Sequence, residues 1–254
     1  MRNAELIDDL GEPVPVTGEP RRVVSLVPSL TEAVEVSVPG RIVAATGYCT
    51  HPSTLEVPRV GGSKYPKLDL VRAQRPDLVL ANSEENRPED VAELRADGIP
   101  VFVMAAAGSV PAALGSLRRI LTQAFGIDEP GWLVTAEDLW REVEPVRHRA
   151  VIPVWRKPWV VLGRDTFAGD VLRRLGVENV YSGHSERYPR PSLEELTETG
   201  ADLVVLPDEP YEFTQDDGPG FFPRMRPVLL SGRYLSWYGP SLVDAYAALR
   251  ASVR

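Results

Sequence analysis

Short apolar runs recur along the chain, each closed by a turn signal and followed by a stretch with helical spacing. VVSLV (23–27) is compact and β-branched, which fits a strand covered on both faces. Pro28 ends it, and Ser29-Leu30-Thr31-Glu32 has the spacing of a capping box opening a helix that Pro39 and Gly40 stop. RIVAAT (41–46), LVLAN (78–82) and VFVMA (101–105) predict further strands, the last two separated by the helix DVAELRADG. Residues 5–18, with Pro13, Pro15 and Gly18 among short apolar stretches, predict an extended lead-in or a small hairpin. Strand–helix alternation of this kind predicts an α/β fold with a parallel sheet.

The middle of the chain changes character. Residues 111–125 and 128–147 carry helical patterns with no strand between them, and Leu133, Ala136, Leu139, Trp140 and Val143 recur along one helix face. A helix over 128–147 makes a rod of about 30 Å. WVVLG (159–163), the helix DVLRRLG (170–176) and LVVLP (203–207) then restart the alternation. Three segments follow: an N-terminal lobe over 1–108, a helical segment over 109–150 holding the long connecting helix, and a C-terminal lobe over 151–254.

An internal repeat supports two similar lobes. Residues 68–84, LDLVRAQRPDLVLANSE, align with 193–209, LEELTETGADLVVLPDE, so that Leu68 meets Leu193, Asp69 meets Glu194, Asp77 meets Asp202 and Glu84 meets Glu209. Each copy reads as a short acidic helix, a turn, a buried strand and an acidic loop. Two lobes define a cleft, and in parallel α/β lobes ligands sit beyond the carboxyl ends of the strands.

Composition narrows the function. A net charge of −8 with no local basic patch argues against a nucleic-acid partner. The single cysteine, Cys49, forbids an intrachain disulfide, and three scattered histidines argue against a histidine-rich zinc site. No apolar run reaches the ~18–20 residues of a membrane span, and the first residues lack a secretory apolar stretch. If Met1 is the natural start, the expectation is cytoplasmic; if a leader has been removed, it is periplasmic or cell-surface.

RRVVSLVPSLTEAV, the PDLVLA strand, the mid-chain helix and the second lobe together resemble the helical-backbone periplasmic binding proteins, which include cobalamin and ferric-siderophore receptors of ABC importers. GYCTHP (47–52), EENR (84–87), RYP (187–189), EPYEF (209–213) and WYGP (237–240) are similar to a signal-less branch called helical-backbone metal receptors. The resemblance implies two Rossmann-like lobes joined by one long backbone helix, a ligand gripped in the cleft and no catalysis. It implies a small polar or metal-chelate ligand, cobalamin-like or siderophore-like, with no required cofactor. It also implies that one acid per lobe, Asp69 and Glu194, docks on arginines of an importer permease; an acid in a helix's first turn equally favours the helix dipole.

Loops past the strand ends carry the candidate ligand contacts: Tyr48, Cys49, His51, Lys64, Glu84, Glu85, Asn86 and Arg87 in the first lobe, and Arg156, Asp165, Arg187, Tyr188, Glu209, Tyr211, Phe213, Trp237 and Tyr238 in the second. The aromatics suit a flat ligand and the cations an anionic one. Cys49 and His51, with Glu84, have ligand types for a soft or borderline metal. Two alternatives stand beside the import reading. One is a cytosolic sensing or binding protein of this fold; the other is a metal- or thiol-dependent enzyme using Cys49 and His51.

Overall fold

The computed structural model describes residues 6–254. The chain divides into two compact units. The first takes the residues up to Ala106 together with Leu114–Val134, and the second takes Ala107–Ala113 and Thr135–Arg254.

The first unit opens with an antiparallel hairpin of β1 (Leu6–Ile7) and β2 (Pro13–Val14). Two adjacent aspartates fasten it. Asp8 pairs with Arg95, and Asp9 accepts from the Ala105 amide, the Ser116 hydroxyl and the Arg119 guanidinium. Next come β3 (Val23–Ser25), α1 (Pro28–Ser37), β4 (Ile42–Ala45), α2 (Leu68–Ala73), β5 (Leu78–Asn82), α3 (Pro88–Ala96) and β6 (Val101–Met104). The strands form one parallel sheet in the order β4-β3-β5-β6. Buried Val24, Leu26, Val79, Leu94 and Val103 fill its core, as the near-continuous apolar runs predict.

α1 corrects one expectation. It starts at Pro28 with Val27 as N-cap and no side-chain cap, and Ser29 and Glu32 are buried within it. The fixed φ of Pro28 suits the first helical position, which starts the helix before Ser29 can cap it. A capping box does form elsewhere, where Ser192 and Glu195 close the start of a helix in the second unit.

The mid-chain helices also differ from the pattern. α4 (Val110–Phe125) is the longest described helix, whereas α5 spans only Gly131–Leu139. The expected rod over 128–147 is therefore cut short. The carbonyls of Trp140 and Arg141 accept from the Arg174 guanidinium, while the amides of Glu144 and Arg147 donate to the carbonyls of Arg174 and Gly176. The segment after Leu139 satisfies its backbone there instead of in further helical turns.

The second unit continues with β7 (His148–Val151), a hairpin of β8 (Pro153–Trp155) and β9 (Val160–Val161), α6 (Phe167–Arg174), β10 (Val177–Asn179), α7 (Leu193–Thr197), β11 (Leu203–Pro207), a 3-10 turn (Pro219–Phe221), β12 (Arg226–Leu230), α8 (Gly232–Ser236) and α9 (Ser241–Val253). Its parallel sheet runs β10-β7-β11-β12. WVVLG thus lies in an antiparallel hairpin outside the main sheet, and HRAV, which the apolar pattern passes over, supplies the central strand.

Both parallel sheets share one order when strands are counted within each sheet, the first strand lying between the second and third. The repeated aspartates explain part of this. Asp77 accepts the amides of Arg21 and Arg22 just before β3, and Asp202 accepts the Arg149 amide in β7. Each carboxylate ties the start of the third strand of its parallel sheet to the start of the first.

Candidate ligand-binding edges

Past the carboxyl ends of β4 and β5 in the first unit, residues 46–66 form a braced loop. Arg59 holds it from within, donating to the carbonyls of Thr46, Cys49 and Leu55. Asn86 holds it from below. Its buried amide accepts from the Asn82 N–H at 2.8 Å and donates to the carbonyls of Ser63 at 2.8 Å and Leu26 at 3.4 Å. Asn86 was expected to meet ligand; every hydrogen-bonding direction seen here is spent joining three strand-end segments. Asn86→Ala should lower stability by about 2–3 kcal/mol, because it strands buried polar partners, and urea unfolding measures it.

This frame presents two tyrosines to solvent. Tyr48 is 67% exposed and its ring packs on Gly62, while Tyr65 is 70% exposed. The Arg87 guanidinium lies 5.1 Å from the centre of the Tyr65 ring, within cation–π range. Arg87 is itself fixed by a two-pronged pair with buried Asp90. Tyr65 was missed in the sequence because SKYPK has no motif and follows no predicted strand. Lys64 is exposed, with its ammonium 3.5 Å from the Glu84 carbonyl. Glu84 is exposed and Glu85 half-buried beside it.

The proposed metal group is not assembled. Cys49 is fully buried, with its sulfur 3.1 Å from the Thr31 hydroxyl and 3.2 Å from that of Thr46. Burial pushes its thiol up, although those hydrogen bonds pull the other way. His51 Nδ1 lies 3.1 Å from the Thr50 hydroxyl. Among the described residues no three His, Cys, Asp or Glu side chains gather as a metal site. The thiol belongs to the core because its nearest polar neighbours are two buried threonines, and a protonated, covered sulfur is a poor ligand or nucleophile.

In the second unit the carboxyl edge is a ribbon. β8 pairs with β9, and on the other side Val161 and Gly163 donate to the carbonyls of Pro189 and Arg187. Gly163 makes the crossing feasible: a Cβ there would lie 2.1 Å from the Glu186 carbonyl oxygen. The ribbon exposes Trp155 at 44% and Tyr188 at 37%. Arg187 donates to the carbonyl of Asp165, whose own carboxylate is exposed beside Arg164.

Several of the expected contact residues are engaged by partners within the second unit. The Arg156 guanidinium pairs with Asp217 at 3.0 Å, reaches the Tyr211 hydroxyl at 3.3 Å and covers the Phe221 ring at 4.8 Å. The Tyr211 hydroxyl donates to Asp217 at 2.6 Å, which with Arg156 holds that carboxyl below its ordinary range. Phe213 is buried in parallel stacking with Trp159. Trp237 and Tyr238 are also buried, Tyr238 edge-on to Phe167. Aromatics here are drawn inward by area: each buried ring removes a large apolar surface from water. The Glu209 carboxyl is hydrogen-bonded to Trp237 and accepts from the Ser236 hydroxyl at 3.4 Å, and burial pushes it up.

The repeat-matched acids differ in setting. Asp69 is 95% exposed and pairs with Arg72, which also holds Glu93 and Asp97. Glu194 is exposed on α7, and Ser192 with Glu195, not Glu194, forms that helix's cap.

The two parallel sheets and their carboxyl-edge loops define the fold of the periplasmic binding proteins. No family model matches the chain. It is 23% identical over 205 residues to the vitamin B12-binding protein of Pectobacterium carotovorum, covering 75% of this chain and 72% of that one. The solved periplasmic vitamin B12-binding protein of Vibrio cholerae superposes with a TM-score of 0.74 at 18% identity, covering 93% and 98% of the two chains. A periplasmic heme-binding protein from Pseudomonas aeruginosa gives 0.74 at 25% identity, covering 91% and 92%. The chain thus resembles the helical-backbone periplasmic binding proteins. These solved relatives are named as periplasmic and lend no support to the cytoplasmic expectation. Among the described residues no helix is long and apolar enough to cross a membrane.

Proposed function

We propose that this chain is a solute-binding protein of the kind that serves ABC importers, taking a metal chelate such as a corrin, a heme or a ferric siderophore. The observation that carries the reading is the set of exposed aromatics on braced loops at the carboxyl edges: Tyr48 and Tyr65 in one unit, Trp155 and Tyr188 in the other. Large aromatics left in water on stiff loops offer contact area at low ordering cost. Lys64, next to Tyr65 in the first unit, and Arg187, next to Tyr188 in the second, each offer a cation for an anionic group. The vitamin B12 and heme ligands named for the relatives favour the same ligand class. A periplasmic or cell-surface location accompanies this reading, with Asp69 and Glu194 as docking points for a permease.

The reading is non-enzymatic. The buried, protonated Cys49 thiol is unsuited to the nucleophile role that an enzyme built on Cys49 and His51 requires. Native mass spectrometry with cyanocobalamin, hemin and ferric enterobactin offered in turn tests the assignment. A one-to-one adduct with one of them is expected; a protein that stays unliganded against all three at tens of micromolar defeats the proposal.

A further inference from the structure

His184 lies just before Tyr188, in the turn that carries the chain from β10 to the ribbon of the second unit. Asn179 anchors the near end of this turn. The Tyr181 amide donates to the Asn179 side-chain oxygen at 3.0 Å, and the Ser182 amide donates to the Asn179 carbonyl at 3.0 Å. The far end is fixed where Val161 and Gly163 donate to the carbonyls of Pro189 and Arg187. Between these anchors His184 is half-buried, its ring tilted against that of Tyr181. The His184 amide donates to the Tyr181 carbonyl at 2.9 Å, and its Nδ1 accepts the Glu186 N–H at 3.0 Å.

That last bond depends on the proton count of the ring. A backbone N–H can only donate, so Nδ1 must carry a lone pair and the ring must be neutral, with its proton on Nε2. An imidazolium carries hydrogen on both nitrogens and would set one N–H against another. Imidazole exchanges this proton between about pH 5 and 8. Among the described residues no carboxylate pairs with the His184 ring, so the charged form gains no partner in exchange. Tyr181 stays a neutral phenol, because burial and the Glu195 carboxylate push its hydroxyl up. Glu195 is itself committed to the Ser192 cap, Glu186 points its carboxylate to solvent, and the Arg187 guanidinium donates to the Asp165 carbonyl.

Glu186 is the residue through which a change at His184 reaches the ribbon. Its amide is held by the imidazole, and its carbonyl oxygen packs so closely on Gly163 that a Cβ there would lie 2.1 Å away. Arg187 and Tyr188 follow at once, the cation and the aromatic that the ribbon offers to a solute. We propose that His184 is a positioning residue: neutral, it fixes Glu186 and with it Arg187 and Tyr188; protonated, it lets that segment loosen. The brace is present above the titration of the imidazole and is lost as pH falls through it. Its consequence, weaker holding of a solute in acid surroundings, rests on the solute-binding reading; the titrating brace does not.

Amide NMR of the unliganded protein between about pH 7.5 and about pH 5.5 tests it. The Glu186, Arg187 and Tyr188 amide signals should move together with the His184 ring. Protection of the Glu186 amide from solvent exchange should fall about two- to tenfold, the range for losing one hydrogen bond. In His184→Asn the side-chain oxygen accepts the N–H two residues on without titrating, so the three signals should keep their neutral-pH positions. His184→Ala should show the loosened segment at both ends of the range. Signals of 186–188 that ignore the titration of the ring, or that still follow it in His184→Asn, would overturn the proposal. Whichever of cyanocobalamin, hemin and ferric enterobactin forms the one-to-one adduct extends the test. At about pH 5.5 it should leave the unsubstituted protein about two- to tenfold faster than it leaves His184→Asn, and at about pH 7.5 equally fast. Equal release at both would overturn the positioning role. The turn is read without solute, so failure of the brace and failure of the solute-binding assignment are told apart.

Discussion

Gly163→Ala should lower the thermal midpoint by about 6–12 °C. The new Cβ would stand 2.1 Å from the Glu186 carbonyl oxygen, 2.9 Å from Pro189 Cδ and 3.1 Å from the Arg187 carbonyl oxygen. Two of these neighbours are backbone, so no rotamer change relieves the overlap. Nor can Gly163 retreat easily, because its N–H donates to the Arg187 carbonyl and its own carbonyl accepts from buried Asn179. The 186–189 segment must move away and give up that pairing. Overpacking of this severity costs about 3 kcal/mol, and each kcal/mol shifts the midpoint of a chain this size by about 2–4 °C. Tyr188 rides on the displaced segment, so chelate affinity should fall along with stability. Differential scanning calorimetry with and without hemin reads both effects; an unchanged midpoint would mean that the crossing is looser than described.

Trp140→Ala should destabilise the protein by about 3–5 kcal/mol, the range for emptying a large aromatic site. Trp140 is among the largest fully buried side chains, its ring sits edge-on to Tyr246 at 5.2 Å, and its indole N–H donates to the Leu242 carbonyl at 2.8 Å. The truncation leaves a cavity and an acceptor without its donor. Trp140→Phe retains a ring beside Tyr246 but not the hydrogen bond, and should cost about 1–3 kcal/mol. Urea unfolding followed by far-UV circular dichroism separates the two; equal effects would assign the loss to the hydrogen bond alone.

The parallel sheet of the first unit was legible because each strand there is an uninterrupted apolar run. The second was harder to read. Its central strand begins His148-Arg149, with only Ala150 and Val151 buried, so the pattern shows half a strand. WVVLG shows a complete one and lies outside the sheet. The stop of α5 at Leu139 was hidden for a different reason: the groups that take over its backbone, Arg174 and Gly176, come from the end of α6, more than thirty residues on. The surroundings of the candidate site residues were hidden in the same way. Asn86 and Arg156 have the chemistry of ligand contacts, but their partners, Ser63, Leu26, Tyr211 and Asp217, were not deducible from spacing. Tyr65 gave no local signal, and its exposure depends on a loop pinned from Asn86.

The paired aspartates, Asp77 and Asp202, carry a history as well as a load. The two halves of the chain hold the same strand order and the same carboxylate at the same joint, as expected of one ancestral segment copied and fused. What lies at the far end of the copied strand has gone separate ways: Glu84 stays on the surface, while Glu209 is half-buried and hydrogen-bonded to Trp237. The divergence falls at the strand ends, where the proposed ligand contacts lie, and not at the joint that builds the sheet. A single inherited scaffold thereby became two unlike faces.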